Sequence, residues 1–225
     1  YFAGFRPQAY GTEKFMDYGF MEAMMRSTPL PARDLWYSEG TINYYYGGQY
    51  FAVFLTKLSG SKVELTYNLM RTFVAAFAFS LPFSLVYQMS VDRLRDCGKK
   101  GLAEGTFGKS AVNQVEKVRG WRRFVPVAAG LPAGLAVSIA GNMHYVVYSK
   151  IIPWIQKLQG KEVDSYWFPD ATRYIGYNPD VPDKTIHEFP CYSFVLGDLH
   201  AHVVNVMFVL FLVGLLYAWM RNVRM

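Results

Sequence analysis

Three stretches of this sequence are long, apolar and uncharged, and they rule out most soluble folds. The first occupies 63–91, with no charged residue between Arg71 and Asp92; the second is 124–148, with none at all; the third is 203–220, VVNVMFVLFLVGLLYAWM. A helix needs about 20 residues to cross roughly 30 Å of hydrocarbon, and each run reaches or approaches that length. Pro82, Pro126 and Pro132 do not exclude helices, because membrane helices tolerate proline where neighbours satisfy the freed carbonyl. The average hydropathy, near zero, hides this pattern because charges collect between the runs. The expected fold is all-α and integral to the membrane, a polytopic helical bundle with spans at 63–91, 124–148 and 203–220.

Orientation follows from where Lys and Arg collect in the short connections. Segment 92–123 carries nine basic residues against four acids, whereas 149–202 carries five against seven and the first fifty residues four against five. Arg221 and Arg224 follow the third run. One topology fits: segments 1–62 and 149–202 extracytoplasmic, and the basic 92–123 segment and the C-terminus cytoplasmic. The net charge of +6 then belongs largely to a juxtamembrane loop, so the expected partners are membrane lipids and not nucleic acid. Cys97 and Cys191 fall on opposite sides and cannot pair. The chain opens on a tyrosine and shows no cleavable signal peptide; it is expected to be part of a longer protein that supplies further helices.

The two polar segments are too structured in pattern to be mere connectors. In 1–62, Thr12 precedes EKFMDYGFMEAMMRS, an amphipathic helix with a Thr cap, and TPLPARDLW breaks it. TINYYYGGQYFAVFLTKLSG follows as a second helix ending at Gly60. Both suit the membrane interface, where tyrosines such as Tyr44, Tyr45 and Tyr46 concentrate. Segment 149–202 is aromatic, and the four X-Pro steps at Pro169, Pro179, Pro182 and Pro190 exclude one long helix.

Chemistry-bearing residues gather in both segments. Asp198, His200 and His202 stand just before the third run. In an extended chain all three side chains share a side; in a helix only Asp198 and His202 do. Either arrangement offers ligands for a divalent metal ion, and the start of the following helix offers N–H groups to a phosphate. The plain alternative is an Asp cap beside two interfacial histidines. His187 and Glu188 can join the cluster. Glu13 and Asp17, one turn apart with Lys14 between them, are paired carboxylates suited to general-base or metal-ligand work, or else a solvated polar face. Asn142 and His144 lie at one end of the second run.

The blocks GTEKFMD (11–17), MRS (25–27), INYYYGGQY (42–50), W-x5-R-Y-I (167–175) and EFPCYSFVLGDLHAHV (188–203) resemble, in order and across nearly the whole chain, the YYY-type family of membrane proteins. That family is similar in turn to the GT-C superfamily, polytopic glycosyltransferases that use a polyprenyl-phosphate-linked sugar as donor. The resemblance implies a partial GT-C-like fold and transfer of the sugar to an unknown acceptor at the outer face. It implies Glu13 or Asp17 as the base. Arg26, Arg173, the histidines or a bound metal would neutralise the leaving phosphate, and Trp36 and Tyr44–Tyr46 would pack on sugar or headgroup. Lys14 and Glu188 complete the substrate-binding set, and Asp198, His200 and His202 the metal set. The chain departs from the family where Ala201 and Leu35 replace prolines, and it lacks the first helix and those beyond the third. A non-catalytic transporter or lipid-handling protein is the alternative, and a scaffold subunit a third possibility.

Overall fold

The computed structural model describes residues 11, 13–103, 120, 122, 124–177 and 179–223. The expected Thr12 cap and most of the basic 92–123 segment lie outside the described residues. Every regular element among those described is helical: α1 Lys14–Arg26, α2 Gly47–Ser59, α3 Val63–Ala103, α4 Val125–Ala140, α5 His144–Leu158, a 3-10 turn Phe168–Thr172, α6 Pro190–Leu196 and α7 Ala201–Val223. The chain divides into two compact units, Tyr1–Thr72 with Ile139–Val203, and Phe73–Ser138 with Val204–Met225.

Two helices are long and apolar enough to cross a membrane, α3 over Val63–Cys97 and α7, with mean hydropathies of 1.7 and 2.3. Only 28% and 17% of their most apolar windows are buried. On α7, Phe211, Leu212, Leu216 and Trp219 are all more than half exposed. Water does not tolerate a continuous apolar surface of this kind; lipid does. The molecule is an all-α membrane protein.

Within the second unit, α4 approaches α3 through glycine. A Cβ at Gly130 or Gly134 would stand 2.9 Å from the carbonyl oxygens of Phe83 and Phe79 respectively. Small residues four apart permit this closeness, a common device for packing helices in lipid. At the charged ends of α3 and α7, Asp92 accepts hydrogen bonds from Tyr217 Oη at 2.8 Å and Gln88 Nε2 at 3.1 Å. Arg221 binds Asp96 at 2.8 Å and reaches Asp92 at 3.4 Å.

The run 124–148 is not one continuous helix. α4 stops at Ala140, and Gly141 and Met143 take left-handed backbone conformations before α5 begins. Asn142 holds the break: its amide donates to the Ala171 carbonyl at 2.5 Å, and its Oδ1 accepts the His144 N–H at 3.3 Å. The two helices make a third span only if the bent pair is counted as one.

In the first unit α1 and α2 bury one stripe each. On α1 the stripe is Lys14, Asp17, Met21 and Met24, spaced three, four and three residues apart, apolar at one end and charged at the other. On α2 it is Gln49, Val53 and Thr56. The second helix begins at Gly47, not at residue 42. Residues 32–42 pair with themselves instead, through Ile42 N–H to Ala32 O at 2.9 Å and Asp34 N–H to Gly40 O at 3.1 Å. Tyr44 turns onto Phe20 (ring centroids 5.7 Å apart) and stacks on Tyr45 (3.9 Å).

Candidate active site

α6 and the three residues after it set the site. Pro190 starts the helix, its fixed φ suiting the first turn, and Gly197 ends it with φ +79°. There the N–H groups of Gly197 and Asp198 both return to the Ser193 carbonyl, at 2.7 and 3.1 Å. A side chain at 197 would have to endure that left-handed backbone, and its Cβ would collide with the Arg71 guanidinium and come within 3.1 Å of Lys14 Cε. Two buried cations therefore pack directly against this turn.

Beyond the turn, residues 198–200 are not helical, which frees their backbone to bind elsewhere. The Leu199 N–H donates to Asp17 Oδ2 at 3.2 Å, and its carbonyl accepts Gln49 Nε2 at 3.0 Å. The same Gln49 nitrogen donates to Asp17 Oδ1 at 2.8 Å. Asp17, Gln49 and Leu199 thus form a closed ring of hydrogen bonds with almost no solvent contact. Burial lifts the Asp17 carboxyl to about 7, against the pull of His200 and of its two donors, with nearby Asp198 adding to the rise.

This ring presents His200 between two carboxylates. Its Nε2 lies 2.9 Å from Glu13 Oε2 and its Nδ1 2.8 Å from Glu188 Oε2, with Ser193 Oγ also 3.3 Å from Nδ1. Burial disfavours positive charge on the ring. The Glu188 hydrogen bond and the charges of Glu188, Asp17 and Asp198 outweigh it and raise the imidazole to about 9. At neutral pH His200 is then an imidazolium donating through both nitrogens. Burial works to raise Glu188, but His200, then His202 and Arg173, hold it below the ordinary carboxylate range.

The residues singled out in the sequence fall into three groups. Glu13, Asp17, Glu188, Asp198 and His200 converge, with Lys14 buried beside them. His202, in the first turn of α7, stands 3.9 Å from Glu188. Arg173 donates to the Pro169 carbonyl at 2.8 Å, stacks 4.8 Å above the Trp167 ring, and lends its charge to Glu188. A second group lies on the flank of α1: Trp36 meets Phe20 at 5.9 Å and Phe15 at 6.3 Å, alongside Tyr44 and Tyr45, while Tyr46 caps α2. Arg26 stays apart. It pairs with Glu22 at 3.2 Å at the far end of α1, about 20 Å of helix from Glu13.

The ligand atoms that gather most closely are those of Glu188, His200 and His202, all within 4.8 Å of one another; the Asp198 charge acts on Arg71, Asp17 and His200. Two imidazoles and a carboxylate suit a divalent transition metal. Bonds of about 2.1 Å need ligand atoms roughly 3.4 Å apart, so these groups fit after drawing in by about an ångström and after His200 Nδ1 loses its proton. Gln49, Arg71, Ser193 and the Leu199 backbone were not marked in the sequence. A lone glutamine in an amphipathic helix has no signature, and Arg71 reads there as the edge of a span.

The structure is that of an all-α membrane protein whose polar segments bring acids and histidines together. The chain belongs to the uncharacterized membrane protein family DUF2298, whose family model matches residues 1–225. No curated protein and no solved structure matches it.

Proposed function

We propose that the chain carries the catalytic face of a membrane glycosyltransferase of the GT-C kind. It would move a sugar from a polyprenyl-phosphate donor to an acceptor hydroxyl at the extracytoplasmic surface, with 1–62 and 149–202 on that side. The reading rests on one observation: Glu13 and His200, 187 residues apart in sequence, lie 2.9 Å from each other. A carboxylate and a cation side by side are what a displacement at an anomeric carbon requires. The acceptor oxygen forms the new bond to the anomeric carbon and its proton passes to the carboxylate. The bond from that carbon to the phosphate oxygen breaks, and its electron pair leaves with the polyprenyl phosphate.

Glu13 is the better base of the two acids. Its side chain is 55% exposed, open to a substrate, whereas both Asp17 oxygens are engaged in the ring with Gln49 and Leu199. Asp17 is a positioning residue: it holds Leu199 and so the neighbouring His200. The His200 imidazolium and Arg173 would stabilise the charge developing on the departing phosphate. A divalent ion held by Glu188, His200 and His202 would supply the same neutralisation.

The test is transfer from a radiolabelled polyprenyl-phosphate sugar by the full-length protein. Glu13→Gln is expected to lower the rate roughly 100- to 10,000-fold, and Asp17→Asn less. Full activity in the double variant overturns the carboxylate mechanism and favours cargo binding without chemistry.

A further inference from the structure

The first unit also contains a cavity of about 340 Å³ walled by α5 and the segment 164–177. Its apolar walls are tyrosine rings, Tyr148, Tyr166, Tyr174 and Tyr177. His144 anchors that wall, stacked on Tyr148 at 4.3 Å, edge-on to Tyr174 at 5.1 Å, and 3.1 Å from the Tyr166 hydroxyl through Nδ1. Tyr148, Tyr166 and Tyr174 therefore have these contacts before any ligand arrives, which lowers the entropy cost of binding.

The polar lining is mixed in sign. Asp164 and Asp170 face the cavity with Arg173; Gln156 steadies Asp164 at 3.0 Å, and the Pro169 carbonyl with the Trp167 ring steadies Arg173. Two carboxylates against one guanidinium disfavour an anion. An apolar ligand would strand all three charged groups. Flat aromatic faces with both hydrogen-bond donors and acceptors between them match a sugar ring, which offers C–H faces to the tyrosines and hydroxyls that both donate and accept. The volume is at the lower end of the range for small-ligand sites, enough for one ring and not for a chain of them. Arg173 is common to both places: it lines the cavity, and its charge acts on Glu188 of the cluster.

We propose that this cavity binds a single monosaccharide unit and presents it towards the Glu13–His200–Glu188 cluster. The sugar's role as a transfer substrate rests on the function proposed above; its binding does not.

Full-length protein in lipid nanodiscs is titrated with a panel of neutral methyl glycosides (hexose, N-acetylhexosamine and pentose), followed by saturation-transfer NMR. At least one member is expected to bind with millimolar affinity, unaffected by inorganic phosphate. Tyr174→Ala and the shape-conserving Asp170→Asn should each weaken it tenfold or more, and a matching thermal melt excludes misfolding as the cause. Glu22→Gln, at the far end of α1 beside Arg26, should bind the glycoside as the parent does. Absence of binding by every member, affinity unchanged in both folded cavity variants, or displacement by phosphate overturns the proposal. Glycoside binding in a protein that transfers no sugar leaves the cavity assigned and removes only the transferase reading.

Discussion

Replacing Gln49 by leucine tests whether the buried ring holds the site together. The substitution puts an apolar side chain of similar size inside α2 and removes the nitrogen that donates to Asp17 at 2.8 Å and to the Leu199 carbonyl at 3.0 Å. A hydrogen bond to a charged group contributes about 1.5–3 kcal/mol, and a buried carbonyl left unsatisfied costs about 1–3 kcal/mol. These effects share one nitrogen and do not add in full. A gross loss of roughly 3–5 kcal/mol is expected, of which burial of the leucine side chain offsets about 1.5–3 kcal/mol, leaving roughly 1–3 kcal/mol. For a protein of this size each kcal/mol shifts the melting temperature by about 2–4 °C, so a fall of roughly 2–12 °C should appear. The assay is thermal unfolding of the detergent-solubilised protein, followed by intrinsic fluorescence. Asn at the same position, too short to span both partners, should fall between leucine and the parent. A shift of under 2 °C for Gln49→Leu would mean that Asp17 and Leu199 are held by something else.

Gly197→Ala should cost about 2–4 kcal/mol, because it adds a collision with Arg71 to the 1–3 kcal/mol of a left-handed backbone; Gly60→Ala, at φ +65° with open space around it, should cost about 1 kcal/mol, and equal losses in thermal melts would refute the collision. Stability should also depend on pH with a definite sign. Asp17 titrates near 7 when folded against 3.8 in the unfolded chain, so its contribution is complete below 3.8 and is lost as pH rises through 7. The raised His200 acts in the same direction, through about 9. His202 and His144, both lowered, act in the opposite sense only below 6.5. Melts in the presence of a chelator should therefore fall between pH 6.5 and 9 and fall less steeply in Asp17→Asn; a rise over that interval contradicts the burial argument. For topology, single cysteines at 110 and 180 should react oppositely with an impermeant thiol reagent on intact cells, only the latter being labelled, and the reverse result would invert the assignment.

The apolar helices at 63–97 and 201–223, expected over 63–91 and 203–220, could be read from the sequence because an uncharged run of that length has few other solutions. The break at 141–143 could have been read too: Gly141-Asn142 is a turn signal, masked by the absence of charge on either side. The start of α2 at Gly47 could not, since the three tyrosines before it are as compatible with a helix as with the turn onto Phe20 that they adopt. In the site, acids and histidines announce themselves by type, and Glu13, Asp17, Glu188 and His200 do meet. Spacing alone leaves open whether 198–200 is helical. That choice decides that Glu188, and not Asp198, joins the two histidines. Gln49 and the Leu199 backbone stayed invisible because hydrogen-bond partners 32 and 150 residues apart leave no local pattern.

The link from Asp17 to the Leu199 amide spans 182 residues, and it has a consequence in time. A ribosome adding about 5–20 residues each second needs roughly 10 to 40 s to travel that distance. For that interval α1 exists without the segment that covers its charged end, and Lys14 and Asp17 remain in water or in the grip of an insertion factor. The nascent chain should accordingly be most open to proteolysis between α1 and α3 until Leu199 has emerged, and resistance should appear in one step when it does. Ribosome-stalled chains of increasing length, probed with a brief protease pulse, would give the residue at which this protein closes its own site.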